Sequence, residues 1–314
     1  MLPKLVVHAD WSTNTNKRWM CKAILHQNIY KILPPEPVDT KNIIYSSLRE
    51  ANDWGVIFGF DFPIGIPKYY ADQANIHRFL DILPEFGHGI WSDFYKVAET
   101  PEEISIHRPF YPRKCINKGD VNQKHLVNGI GVNDIKALLR RCELGVGKRN
   151  DACSLFWTLG GNQVGKAAIS GWREILVPAI NLLNNELVIW PFDAQLDQMN
   201  EFKTAMIVET YPGDACVQIG IGAPGKGWSK RKAIDRLNKM HAIKQFAHKI
   251  DVDLKMVESE LSQGFGNSAI GEDKFDALVG LLGMLSVIMG YSDDGLPNDD
   301  AIKSVEGWIF GQNI

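Results

Sequence analysis

The chain has 314 residues, 45% hydrophobic and 23% charged, with a formal net charge of -3. That mixture supplies a core for one large domain or two modest ones, and it excludes a polycation. Contact with nucleic acid would therefore have to come from a local basic patch and not from the global field.

Residues 5–9 form a short apolar run ending in Asp10-Trp11-Ser12, the pattern of a strand leaving a sheet. Residues 13–18 read as a turn and 19–25 as a second strand. Residues 28–33 read as a third strand, returned through Gln27-Asn28 and stopped by Pro34, Pro35 and Pro37. Residues 40–52 have helical spacing, with Ile43, Ile44, Leu48 and Ala51 on one side. Residues 55–60 are apolar throughout, as expected of a parallel strand buried on both faces. That run ends in Asp61-Phe62-Pro63-Ile64-Gly65.

From 63 to 152 the chain is rich in Pro, Gly, His and aromatics, with short helical patterns such as 134–142. So many aromatics argue for a large insertion built on the sheet and against disorder. A helix is predicted over about 164–183. Short strands follow at 187–190, before Pro191-Phe192-Asp193, and at 205–208, before Glu209-Thr210-Tyr211-Pro212. Helices are predicted over 230–250, 254–261 and 272–289. The longest apolar run, 277–289, is too short for a membrane helix of roughly 18 residues and contains Gly280 and Gly283. The five cysteines (Cys21, Cys115, Cys142, Cys153, Cys216) are scattered and form no Cys-x-x-Cys pair. The opening residues enter a strand and show no leader pattern. A cytoplasmic protein with reduced thiols is expected.

Asp10, Asp61, Asp193 and Glu209 each follow directly on a short apolar strand. Strands joined by helical crossovers run parallel, so their carboxyl ends meet at one edge of the sheet. Asp273 and Asp276 are three apart on the last helix and share one face. The apolar residues Phe275, Leu278 and Val279 draw that face toward the interior. Carboxylates forced together in a low dielectric must bind a proton or a cation. An all-oxygen set suits Mg²⁺ or Mn²⁺, and two such ions would support phosphodiester hydrolysis. Any one strand-end Asp also serves as a turn former or helix cap. The set together favours a metal.

These residues resemble a family of predicted ribonuclease H-like nucleases labelled a domain of unknown function. The resemblance runs along nearly the whole chain. Its motifs are His8-Ala9-Asp10-Trp11-Ser12, Asp61-Phe62-Pro63-Ile64-Gly65, Trp91-Ser92-Asp93-Phe94-Tyr95, His107-Arg108-Pro109-Phe110-Tyr111-Pro112 and the block 156–172. Glu209-Thr210-Tyr211-Pro212, Asp273-Lys274-Phe275-Asp276-Ala277-Leu278 and Glu306-Gly307-Trp308-Ile309 complete it. The resemblance implies an α/β ribonuclease H-like mixed sheet, β-β-β-α-β-α-β-α, with helices on both faces. The acids would lie on the first strand, the fourth strand and the last helix. Residues 1–62 would form the first part of the core, 63–160 the insertion after the fourth strand, and 161–314 the remainder. The Asp-x-x-Asp-Ala-Leu segment also resembles the last-helix motif of Holliday-junction resolvases. Where the superfamily often carries Glu on its fourth strand, this chain has Asp61.

The expected function is a metal-dependent nuclease with Asp10, Asp61, Asp276 and Glu209 as catalytic residues. Asp10, Asp61, Asp276 and Asp273 would hold the metal. Lys166, His107, Arg108, Lys230 and Arg231 are the candidate substrate contacts. Residues 160–166, Gly160-Gly161-Asn162-Gln163-Val164-Gly165-Lys166, approach a nucleotide-binding loop, but Ala167 stands where Ser or Thr should hold Mg²⁺. A phosphate at the helix start, beside Lys166, is the more modest expectation. Lys226, Lys230, Arg231, Lys232 and Arg236 form the densest basic cluster, with Trp228 alongside to stack a base. A solvated helix face would explain the same run. His107 and Arg108 serve equally as packing residues of the insertion. His8 shares a strand face with Asp10, either as its partner or as a packed, satisfied histidine. The alternatives are an ATP-binding phosphotransferase of the same superfold, which lacks support from a glycine-rich hairpin after Asp10, and a non-catalytic binding module.

Overall fold

The computed structural model describes residues 2–52, 55–114, 121–147, 149–159, 163–193 and 205–313. The first three strands form where expected: β1 Leu5–Asp10, β2 Trp19–His26 and β3 Ile29–Ile32. A two-residue strand, β4 Glu36–Pro37, pairs with β2, so the proline-rich stretch continues the sheet briefly before helix Ile43–Glu50. The apolar run after that helix is β5 Val56–Phe60. β6 Leu187–Ile189, β7 Ala205–Glu209 and β8 Val252–Asp253 follow.

These strands make one eight-stranded mixed sheet in the order β6-β7-β5-β1-β2-β3-β8, with β4 beside β2. β1, β5, β7 and β6 are mutually parallel, while β2 runs antiparallel to both β1 and β3. β8, which the sequence did not suggest, pairs parallel with the outer edge of β3.

Side chains alternate across the sheet and divide the core in two. Leu5, Val7, Ala9, Phe58 and Phe60 face the helical stretch Val164–Gly171, Trp172–Leu176 and Val177–Leu183, together with the aromatic insertion. Phe79, Phe86 and Phe94 pack on Trp172, whose indole N–H donates to the Pro63 carbonyl at 2.7 Å. The insertion therefore shares its core with the sheet. Val6, Ile57 and Val208 face the opposite side, where helix Ile270–Ile288 lies. This helix is buried almost all round from Phe275 to Val287, because it packs on β1, β2 and helix Pro212–Gln218. Gly280 makes the close approach possible, since a Cβ there would land on the His8 ring. Among the described residues no helix is long and apolar enough to cross a membrane.

Two predicted helices break up. Residues 230–250 form Ala233–Leu237 and Met240–Lys249, with Lys230 in the turn ahead of the first. Arg236 supplies the reason. Its buried guanidinium donates to the carbonyls of Gly264 at 2.8 Å and Gly266 at 2.5 Å, and also to that of Lys230, clamping the turn to the body. Residues 134–142 form two short 3-10 turns, Ile135–Leu138 and Arg141–Glu143, with Arg140 extended between them. Residues Tyr111 and Trp157 form an isolated parallel bridge.

Candidate metal centre

Because β1, β5, β7 and β6 are parallel, their carboxyl ends share one edge. Asp10 is the last residue of β1 and is 9% exposed. Asp61 follows Phe60 immediately, and its amide donates to the Ala9 carbonyl at 3.1 Å, tying the exit of β5 to β1. Asp276 arrives from the early part of the long helix and is 6% exposed. Its neighbours Phe275, Ala277 and Leu278 are fully buried, so their packing holds the carboxylate at the sheet.

The three acids share one field. Burial pushes the Asp10 carboxyl well above its ordinary range, and the charges of Asp276 and Asp61 add to that. Asp61 is pushed up to about 7, first by burial and then by Asp276 and Glu209, against the opposing pull of Lys230 and of a hydrogen bond with Asp10. Asp276 is also raised by burial, with Lys230 opposing. Asp273, further out, is pushed up to about 6 by burial, aided by the charges of Glu272 and Asp276. The Lys230 ammonium is hydrogen-bonded to Asp276 Oδ2. Asp276 Oδ1 and Asp273 Oδ2 are buried with no hydrogen-bond partner. Among the described residues no group of three or more His, Cys, Asp or Glu side chains is placed to hold a metal ion as the side chains stand. The chemistry of the set nevertheless fits a hard divalent cation: all donors are carboxylate oxygens, two are orphaned, and the protons and the ammonium stand in for missing positive charge.

Glu209 does not join this group. Both of its oxygens are held by Arg140, at 2.6 Å each, and Oε2 also accepts from the Ile64 amide at 2.6 Å. It ends a parallel strand as expected, yet its carboxylate is spent on a buried ion pair. Asp193 caps its own turn, accepting from the Ile189 amide at 3.0 Å. His8 is a packed, satisfied histidine. One ring nitrogen lies 3.0 Å from the Ala277 carbonyl and the other 2.9 Å from Thr210 Oγ1, and burial lowers its pKa to about 3.

The basic cluster separates. Lys230 turns to the acids, Arg236 is buried, and Arg231 is exposed 3.8 Å from Glu272. Trp228 is buried edge-on to Phe275 and donates to the Gly222 carbonyl at 3.2 Å, so its ring is not free to stack a base. Lys166 and Arg108 do line one cleft, on the sheet face opposite the long helix. His107 packs on the Trp91 ring at 4.6 Å and is not among the residues lining that cleft. Of the nucleotide-loop-like segment, Gly160, Gly161 and Asn162 lie outside the described residues.

Sequence reasoning missed Arg140, the partner of Glu209. No local signal marks it, because the pair is 69 residues apart. It also missed Arg173, which lines the cleft with Lys166. That residue was findable, since 166, 170 and 173 fall on one helical face. Comparison with known proteins returns no family model, no curated protein and no solved structure that matches this chain.

Proposed function

We propose that this chain is a metal-dependent phosphodiesterase acting on nucleic acid, built on a ribonuclease H-like core. The observation that carries the proposal is the convergence of buried Asp10 and Asp276 with partly buried Asp61 at one sheet edge, with a single ammonium among them. A structural role would pair these carboxylates, as Glu209 is paired. Leaving them under-neutralised stores a demand for cations, which is characteristic of functional sites. The topology supports the fold assignment. Three antiparallel strands precede a helix, a fourth long strand lies parallel beside the first, and another parallel strand lies beyond it. β6 and β8 are then additions at the two edges, and β4 a short appendage on β2.

In this scheme Asp10, Asp61 and Asp276 hold the metal, and Asp273 borders it. Four ionised carboxylates balance two divalent ions in charge. Mg²⁺ or Mn²⁺, when bound, would activate a water and stabilise the departing oxygen. The chain's own contribution is positional. β1 and β5 fix two carboxylates through their shared ladder, and the Gly280–His8 contact fixes the helix that brings the third. Lys230, clamped through its carbonyl by Arg236, presents a positive charge to the phosphate at the same point. The test is to offer single-stranded, duplex and branched DNA and RNA to the purified protein with Mg²⁺ or Mn²⁺, beside Asp10→Asn. The expected result is cleavage that the substitution abolishes. Absence of cleavage on every substrate, or cleavage indifferent to the substitution, overturns the proposal.

A further inference from the structure

We infer that the cleft between the aromatic insertion and helix Val164–Gly171 is a binding groove for single-stranded polynucleotide, feeding the acidic edge of the sheet. The inference takes its ligand class from the phosphodiesterase reading, but it rests on separate residues and is tested without metal.

The cleft has a volume of about 910 Å³, and its walls carry Lys96, Arg108, Arg113, Lys166 and Arg173 against one carboxylate, Glu174. Ion pairs decide how much of that charge is available. Lys96 is paired with Asp93 at 2.6 Å, Arg108 with Glu103 at 3.2 Å and Arg113 with Glu99 at 2.5 Å. Glu174 is itself neutralised by the buried Arg18 at 2.6 Å. Among the described residues Lys166 and Arg173 form no ion pair, so they leave the cleft net positive. They project from the same helical face as Ser170, which also lines the cleft.

The cleft also carries an aromatic surface. Tyr95 lies in its wall with the Arg173 guanidinium 5.6 Å from the ring centre, and the Tyr95 hydroxyl is buried without a hydrogen-bond partner. Positive charge along a groove, plus a ring on which any base can stack, is how single strands are held without sequence preference. The size favours a few nucleotides of single strand over a duplex.

Its position connects it to the acids. Thr13 lines the cleft three residues after Asp10, and the Trp11 indole donates to Ser170 Oγ at 2.9 Å. Asp10 and the cleft thus lie at one end of the sheet, on opposite faces, with 11–13 as the bridge between them. A strand lying in the cleft needs only to pass over that edge to reach Asp10.

Fluorescence anisotropy with a labelled twelve-nucleotide single strand, in EDTA, tests this directly. The wild type is expected to bind the single strand more tightly than a duplex of the same length. The double variant Lys166→Glu/Arg173→Glu, with its fold checked by circular dichroism, is expected to bind at least tenfold more weakly. Lys249→Ala, on a remote helix, is expected to bind as the wild type does. Neutralising both cations, in Lys166→Ala/Arg173→Ala, should flatten the salt dependence of log K by about 1.4 for two lost phosphate contacts. Preference for duplex, absence of binding, or binding indifferent to both double variants overturns the groove. Strand binding by a protein that cleaves nothing would remove the phosphodiesterase reading and leave the groove standing. Cleavage with full strand affinity in the Lys166→Glu/Arg173→Glu variant would do the reverse.

Discussion

Two groups of buried or partly buried carboxylates sit at the same end of this sheet, and they are treated differently. Glu209 and Glu143 surround Arg140. All four of their oxygens accept hydrogen bonds, from the guanidinium or from the amides of Ile64 and Arg140. Asp10, Asp61 and Asp276 surround Lys230, and there Asp276 Oδ1 is buried with no partner. Charge count alone does not separate the groups, since each has more carboxylates than cations. Hydrogen bonding separates them. A planar guanidinium reaches two carboxylates in fixed directions, whereas an ammonium is a point charge. The first group locks the exit of β7 to the loop after Asp61 and to the Glu306 carbonyl. The second is left wanting charge, and that marks it as the place for a ligand.

Breaking the locked group should have the largest effect. Arg140→Met leaves two buried carboxylates without their cation and is expected to cost about 3–5 kcal/mol of stability. Denaturant unfolding at neutral pH measures this, and a loss below 1 kcal/mol would show that Glu209 is free to act elsewhere. The unlocked group should respond to ions instead. Mn²⁺ at a hundred times its dissociation constant is expected to stabilise the wild type by about 2.7 kcal/mol. Thermal unfolding with and without Mn²⁺ reads this, and Asp276→Asn should remove most of the shift. An equal shift in that variant would place the ion elsewhere.

The contrast was only half legible in the sequence. Asp10, Asp61 and Glu209 could be placed at strand ends because apolar runs stop there, and Asp276 because its neighbours are apolar. The strand-end rule says where a side chain begins and nothing about what meets it. Glu209 obeys the rule as well as Asp10 does, yet it is claimed by Arg140, which lies in an irregular stretch that periodicity cannot read. Lys230 misled for a related reason. Its basic neighbours suggested one solvated or nucleic-acid-binding helix face, but Arg236 turns inward and breaks that helix, which redirects Lys230 to Asp276. β8 escaped notice because two residues carry no pattern.

Removing Lys230 should have a smaller effect than removing Arg140, and one that depends on pH. Carboxyl groups already displaced upward can take protons when their counter-ion is lost. Lys230→Met is therefore expected to cost about 2 kcal/mol at pH 8 and almost nothing at pH 5. Unfolding midpoints at the two pH values check this, and a cost independent of pH would mean that the lysine acts through packing.

The smallest effect sharpens the comparison most, because its sign is opposite. Asp61 has an ordinary pKa of 3.8 and stands at about 7 in the folded protein. Below 3.8 both states carry the proton, and above about 7 neither does. Between these values the folded protein binds the extra proton, so this group's contribution to stability falls as pH rises. Asp61→Asn removes that loss. In metal-free protein the variant is expected to be more stable than wild type by about 1 kcal/mol at pH 8, since solvent screens the partly buried residue. The advantage should shrink through pH 7 and vanish near pH 4. Added Mn²⁺ should reverse it, because the wild type gains an ion that the variant holds poorly. A destabilised Asp61→Asn at pH 8, without metal, would put Asp61 among the locked carboxylates, in the company of Glu209.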